Sequence, residues 1–308
     1  MIPRLDAAKI AARDPETMSA LRHGVEEVGF LTIHNTAINP DQISSVIDAY
    51  RRFFDQPDQE KSAVDMAKTG ANRGWGAAGG EQVDPDANPD YKQVFDCGFQ
   101  LDADDPLRAQ NLSVYGDNQW PALPGFHEAV RGYYLQALDV AMDLLRGIAA
   151  AIGEDESHFD AAFTRPMALL RGNYYPPRPD WAGKKDFGIA AHTDYGCLTL
   201  LASDGVAGLE VMGADGSWIK VNAPVGEFVI NFGEMLEMWT GGRVKATLHR
   251  VVGTGKERIS VPMFFNPNHD TNVAPVGADH VILAGDHMKK RFDETYLHLM
   301  QKRKADAL

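Results

Sequence analysis

The period of the apolar residues changes near residue 165, and this change constrains the fold more than any other feature of the chain. Before it, apolar side chains recur at three- and four-residue steps, the spacing of one helix face. Asn39-Pro40-Asp41 reads as a capped helix start with proline in the first turn, after which Ile43, Val46, Ile47, Tyr50 and Phe54 share a face. A longer helix is predicted over about 125–152, where Val130, Tyr133, Tyr134, Leu138, Met142, Leu145 and Ala149 repeat in the same way and Gly153 ends it. From Met167 the chain reads as short strands, over 167–175, 198–203, 209–212, 218–221, 228–231, 246–252 and 258–266. Asp204-Gly205, Asp215-Gly216 and Gly241-Gly242 supply turns between them. Many short strands at this spacing suggest a double-sheet jelly roll. A last helix over about 286–304 closes the chain. The expected class is α+β: a double-stranded β-helix (jelly-roll) core with a helix-rich N-terminal region and a C-terminal helix.

Residues 69–121 fit neither half. This stretch is dense in Gly, Asn, Asp and Pro and long for a structureless connection, so it either contains short strands, such as Gln93-Val94-Phe95, or forms part of a binding surface. No repeat or flexible linker marks a boundary in the 308 residues. The expected organisation is an N-terminal region over 1–120 and a catalytic region over 121–308, the latter holding the long helix, the jelly roll and the closing helix.

Charge and composition narrow the partners. Thirty Lys+Arg against 43 Asp+Glu give a net charge of −13, which disfavours nucleic acid. No apolar run approaches the roughly 20 residues that span a bilayer, so no membrane partner is expected. The first residues lack the apolar stretch of a secretion signal, and Cys97 and Cys197 make neither a disulfide framework nor a zinc-finger spacing. A cytoplasmic setting is the expectation.

Three short segments carry chemistry. In His192-Thr193-Asp194, an extended backbone would point the imidazole and the carboxylate to one side, a donor pair suited to Fe(II), Mn(II) or Zn(II). His249 lies 55 residues past Asp194, and Arg258 and Ser260 follow on a predicted strand where they share a face. Each segment alone fits an ordinary structural role: a turn, a sheet histidine, a surface ion pair. Together, two histidines and a carboxylate form a facial triad that leaves three metal positions open, and a guanidinium fork with a hydroxyl could anchor the far carboxylate of an α-keto acid. The other histidines have no partner at ligand spacing and read as structural or solvent-facing; Cys197 follows the triad closely but, with three ligands already assigned, reads as a small buried hydrophobe.

On these segments the chain resembles the Fe(II)/2-oxoglutarate-dependent oxygenases of the isopenicillin N synthase type. The resemblance covers nearly the whole chain, through Val28-Gly29-Phe30, Arg73-Gly74-Trp75, Asn118-Gln119-Trp120-Pro121, Asn173-Tyr174-Tyr175-Pro176-Pro177, Ala191-His192-Thr193-Asp194-Tyr195-Gly196, Gly208-Leu209-Glu210-Val211 and Arg258-Ile259-Ser260-Val261-Pro262. It implies that His192, Asp194 and His249 ligate iron, that Arg258 and Ser260 clamp the C5 carboxylate of 2-oxoglutarate, and that Asn173 and Tyr175 contact this cosubstrate. It further implies a dioxygenase that uses Fe(II), 2-oxoglutarate and O₂ to hydroxylate, desaturate or cyclise a small molecule, with release of succinate and CO₂. Three alternatives stay open: an Fe(II) oxidase of the same fold without 2-oxoglutarate, a zinc hydrolase on the same ligands, and a non-catalytic binding protein.

Strand parity adds two substrate candidates. Arg171 shares a face with Asn173 and Tyr175, so if these face inward it must too, and a buried guanidinium needs an anion or acceptors. Either it binds an acidic group of a small acidic or zwitterionic substrate, or it closes an internal salt bridge. Phe264 lies on the face of Arg258, where relatives line the substrate pocket, and would otherwise be core. Tyr296, Leu297 and Met300 of the closing helix are expected to shape the same pocket.

Overall fold

The computed structural model describes residues 1–69 and 72–295. Among these described residues twelve strands form two sheets. They are β1 (Arg4–Asp6), β2 (Phe30–His34), β3 (Gly74–Gly76), β4 (Gln93–Gly98), β5 (Leu169–Tyr175), β6 (Ile189–His192), β7 (Leu198–Ser203), β8 (Leu209–Met212), β9 (Trp218–Lys220), β10 (Phe228–Phe232), β11 (His249–Val251) and β12 (Arg258–Phe265). The large sheet runs β1-β2-β10-β7-β12-β5-β4-β3 and the small one β6-β11-β8-β9. Every pairing between these strands is antiparallel except β1 with β2. The helices are α1 (Ala7–Ala11), α2 (Pro15–His23), α3 (Pro40–Phe54), α4 (Asp58–Lys61), α5 (Met66–Thr69), α6 (Phe126–Ala151), α7 (Glu234–Trp239) and α8 (Ala284–Thr295).

The two long helices begin and end where local chemistry satisfies their free backbone groups. Asn39 caps α3, its side chain accepting from the amide of Gln42 while the Gln42 side chain accepts from the Asn39 amide, and Pro40 occupies the first turn. At the far end of α6 the amides of Gly153 and Glu154 donate back to Ala150 and Ala149, with Gly153 at φ +80°. The buried faces of both helices join one apolar cluster with the large sheet.

That sheet has two chemically different faces, and alternation sorts them. Ile259, Val261, Met263 and Phe265 of β12, Leu198, Leu200 and Ala202 of β7, and Phe228, Ile230 and Phe232 of β10 point to the helices. The opposite face therefore carries Arg258, Ser260 and Phe264 from β12, Arg171, Asn173 and Tyr175 from β5, Asp96 from β4, Thr199 from β7 and Asn231 from β10. A second apolar cluster joins this face to the small sheet, through Phe30, Tyr175 and Val229 on one side and Leu209, Val211 and Val251 on the other. The chain thus stacks helices, large sheet and small sheet, with polar residues concentrated between the sheets.

Several expectations need correction. The mostly helical first third also holds two strands that the apolar pattern missed: β1 and β2 open the chain and extend the main sheet. β2 is buried along most of its length, so it lacks the alternation that marks a half-exposed strand. The predicted strand over 246–252 shrinks to three residues, and its edge shows a register shift between His249 and Val251. Of the two readings of residues 69–121, short strands are present: β3 and β4 lie there beside two 3₁₀ turns. Of the predicted last helix, Ala284–Thr295 is helical; Tyr296, Leu297, Met300 and the predicted end near 304 lie outside the described residues.

Candidate metal centre and active site

β6 and β11 pair so that His192 and His249 stand directly opposite each other, with ring centroids 4.4 Å apart. Beyond His192 the strand stops, so Thr193 and Asp194 are not in the extended ladder that the two-residue spacing suggested. Asp194 reaches the histidines from a turn instead. The start of α7 pins this turn: the amide of Glu234 donates to the Asp194 carbonyl at 2.8 Å and that of Met235 to the Gly196 carbonyl at 3.1 Å. A side chain at Gly196 would run into Asn266, and one at Gly233 into the Gly196 and Asp194 carbonyls, so the close approach requires glycine at both positions.

The result is a convergence of three donor atoms. Asp194 Oδ1 lies 3.7 Å from His192 Nε2 and 3.7 Å from His249 Nε2, and one ligand atom from each residue lies within 4.8 Å of the others. Among the described residues this is the one group of three or more His, Cys, Asp or Glu side chains placed to share a metal ion. Each atom is prepared for that role by its neighbours. His192 Nδ1 bonds the Ala190 carbonyl at 2.8 Å and His249 Nδ1 the Thr247 carbonyl at 3.1 Å, which puts the proton on Nδ1 and leaves the Nε2 lone pair facing Asp194. Asp194 Oδ2 accepts from Thr199 Oγ1 at 2.5 Å and Asn231 Nδ2 at 2.6 Å, so Oδ1 is the oxygen left to the centre.

Protonation follows the same arrangement. Burial, then the His249 ring, lowers the His192 pKa to about 4, leaving a neutral imidazole at ordinary pH. Burial alone would raise Asp194, but His249, His192 and the two hydrogen bonds outweigh it and hold the carboxyl below its usual range. Two imidazoles, that of His192 held neutral, and one carboxylate make a donor set suited to a divalent first-row metal.

Thr199 and Asn231 have no motif, yet Asn231 interrupts an otherwise apolar strand, Phe228-Val229-Ile230-Asn231-Phe232, which is the signal that could have found it. Replacing Asn231 by Leu releases Asp194 Oδ2 and is expected to weaken Fe(II) binding about 10- to 100-fold, measured by anaerobic equilibrium dialysis. Unchanged affinity would show that Asp194 is oriented by other means.

The proposed anion clamp lies on the large sheet. Arg258 pairs in register with Tyr175 and Ser260 with Asn173, and all four are buried. The Arg258 guanidinium lies 5.2 Å from the Tyr175 ring centroid, and its Nε donates to the Val206 carbonyl at 3.1 Å. Arg258 Nη1 is buried without a partner, as is Asn173 Oδ1. A buried cationic donor left unpaired is costly, and a dicarboxylate end such as that of 2-oxoglutarate would satisfy it. Asn173 Nδ2 donates to Ser260 Oγ at 3.5 Å, which joins the two polar groups on this face.

Beside the triad opens a cleft of about 990 Å³ counted out to its solvent-open mouth. His192, Asp194, Asn173, Arg171 and Phe264 line it; His249, Arg258, Ser260 and Tyr175 do not. Parity correctly puts Arg171 inward, but its charge is engaged: Nε and Nη2 donate to the two oxygens of Asp96 at 2.8 and 2.7 Å, and Nη1 reaches Glu81. The internal salt bridge is therefore the arrangement present. No motif singles out Asp96 or Glu81, although Asp96 also interrupts an apolar strand. Residues 72–92 add Asn72, Arg73, Val83 and Lys92 to the wall, and α8 adds Met288 and Phe292.

Comparison with known proteins agrees with this geometry. Residues 166–267 match the model of the 2OG-Fe(II) oxygenase superfamily, and residues 2–123 match the model described as non-haem dioxygenase in morphine synthesis N-terminal. A 2-oxoglutarate-Fe(II) type oxidoreductase from Emericella nidulans is 34% identical over 86% of this chain and 78% of its own. A homoarginine-6-hydroxylase from Glycine max is 32% identical over 94% of this chain and 90% of its own. A full-length Neurospora crassa protein crystallised in complex with alpha-KG superposes with a TM-score of 0.83 at 28% identity, covering 95% of this chain and 96% of that one.

Proposed function

The chain belongs to the 2OG-Fe(II) oxygenase superfamily, and from that premise we propose which of its residues do the work. It is a non-haem Fe(II)- and 2-oxoglutarate-dependent dioxygenase that oxidises a C–H bond of a small-molecule substrate. His192, Asp194 and His249 hold the iron. The observation that carries this assignment is the convergence of Asp194 Oδ1 on two Nε2 atoms whose rings are both anchored through Nδ1. Fe(II) bound there, with 2-oxoglutarate and O₂, supplies the oxidising power, and 2-oxoglutarate leaves as succinate and CO₂.

The chain's own part is to bind, orient and shield. Three protein donors leave three positions for cosubstrate and O₂. Arg258 and Ser260 hold the far carboxylate of 2-oxoglutarate, with the orphaned Nη1 of Arg258 as the supporting observation. Asn173 and Tyr175, their register partners, flank it. Phe264 is a substrate-facing aromatic of the cleft and excludes water from it. Arg171 contributes to the same wall, but with its guanidinium held by Asp96 and Glu81.

These assignments bear on the substrate. Two further structures of the Neurospora crassa protein hold thymine or 5-formyluracil beside alpha-KG, and the plant relative is a hydroxylase of homoarginine. With Arg171 engaged, an acidic substrate loses the cation expected to receive it, so an uncharged or zwitterionic small molecule fits best; nucleic acid and membrane are not partners in this reading. No described helix is long and apolar enough to cross a membrane. We place the protein in the cytoplasm, in keeping with two free buried thiols, Cys97 and Cys197. The division into 1–120 and 121–308 is one of regions sharing a single sheet, since β1 to β4 of the first join strands of the second.

The test is succinate release from the full chain. Release is expected to require Fe(II), 2-oxoglutarate and O₂ together, and to fall to background in His192→Ala. Turnover that persists anaerobically, or with Zn(II) in place of iron, would overturn the assignment.

A further inference from the structure

Two cations on the cleft wall converge on one carboxylate. Arg171 lies on β5 and Lys92 just before β4, and each already has a carboxylate close in sequence or register: Asp96 stands opposite Arg171 across β4–β5, and Asp90 Oδ2 lies 3.0 Å from Lys92 Nζ. Both then reach a further group. Lys92 Nζ donates to Glu81 Oε2 at 2.6 Å, and Arg171 Nη1 donates to the same oxygen at 3.1 Å while lying 2.9 Å from Oε1. Strand β5 and the bridge to Asp96 hold Arg171, and Asp90 holds Lys92. Glu81 comes instead from the irregular segment between β3 and β4, whose neighbouring Gln82 amide bonds the Thr295 carbonyl at the end of α8.

A guanidinium and an ammonium aimed at one pair of oxygens is the geometry proteins use for a carboxylate ligand. We infer that Glu81 is a specificity-determining residue: it occupies an anion subsite formed by Arg171 and Lys92 in the substrate cleft and thereby excludes substrates that would place a carboxylate there. The inference rests on the oxygenase reading only for the use of the cleft.

The electrostatics agree. Burial would push Glu81 up, but Arg171 and Lys92 outweigh it and hold its carboxyl at about 2, whereas burial prevails at Asp90 and Asp96 and raises both. Glu81 is thus the most firmly ionised acid of the cluster. Among the described residues, with Arg73 acting on Asp96, the buried cations Arg73, Lys92 and Arg171 match the buried carboxylates Glu81, Asp90 and Asp96 in number. A ligand anion entering the intact cluster would be in excess, and burying unpaired charge is strongly unfavourable. Without Glu81 the balance shifts by one positive charge, and a ligand carboxylate restores it.

Acetate is the probe, and thermal unfolding of the full chain is the readout, so neither iron nor turnover is needed. Glu81→Ala is expected to unfold at a lower temperature than the parent and to recover by about 2–3 °C in roughly 100 mM sodium acetate relative to sodium chloride at equal ionic strength. The parent chain, with its subsite filled, is expected to move by less than about 1 °C in the same comparison. Glu81→Gln keeps the size of the side chain and loses its charge, and is expected to give a smaller acetate-dependent rise. This keeps the test decisive if the alanine variant does not fold. Equal acetate effects on parent and variants, or none in a folded variant, would overturn the inference. Failure of succinate release with these shifts intact would instead count against the oxygenase assignment.

Discussion

Asp194→Ala is expected to lower succinate release at least about a thousandfold, to the level of enzyme-free background, a loss of about 4 kcal/mol in transition-state stabilisation. The substitution removes the one anionic donor of the centre, whose Oδ1 stands 3.7 Å from both imidazole Nε2 atoms. Two imidazoles alone bind a divalent metal weakly and no longer fix which positions stay open. The fold should survive. The carboxylate's other oxygen is held by Thr199 and Asn231, and leaving these donors without an acceptor costs about 1–3 kcal/mol each. The variant should therefore be folded, less stable by a few degrees and inactive. Activity within tenfold of the parent in a folded variant would show that the metal, if held here, does not depend on this carboxylate.

Arg258→Met is expected to act on a different quantity. Truncating one member of a buried, hydrogen-bonded charge pair costs about 2–5 kcal/mol, so the KM for 2-oxoglutarate should rise between about 30-fold and several thousandfold. Metal affinity should stay within about threefold of the parent, because Arg258 is not among the three residues of the proposed metal centre. Arg258→Lys should fall between, since an ammonium keeps the charge but not the fork that offers two parallel donors. The Tyr175 ring beside the guanidinium and the Val206 carbonyl on its Nε hold the fork in one orientation, leaving Nη1 for the ligand. An unaltered KM for 2-oxoglutarate with a raised KM for the prime substrate would move Arg258 from the cosubstrate clamp to the substrate pocket.

What could be read from the chain beforehand depended on how local the governing physics is. The helices α3 and α6 were legible because their caps and apolar stripes are properties of a few neighbouring residues. The strands β7 and β8 were legible to the residue because each is bounded by turn chemistry. β2 was not, since burial along most of its length erases the alternation that distinguishes a strand. Strand parity correctly put Arg171, Asn173, Tyr175, Arg258, Ser260 and Phe264 on one face, because a period of two holds whatever the sheet packs against.

The same rule did not apply at His192-Thr193-Asp194. The ladder ends at His192, and the convergence comes from a turn held by α7, an element more than thirty residues later. Glu81 and Asp96 were hidden for a related reason. They lie 90 and 75 residues from Arg171, and nothing in the short-range pattern says which of 43 acidic residues would meet that guanidinium. Spacing therefore picked out three side chains that the fold brings together, whereas their partners belong to tertiary structure.

The most direct test of a shared metal centre is anaerobic Fe(II) binding by equilibrium dialysis, comparing the parent chain with His249→Ala. One tightly bound Fe(II) per parent chain, and its loss in the folded variant, is the predicted result. Equal stoichiometry and affinity in the two would contradict the meeting of His192, Asp194 and His249 on one ion.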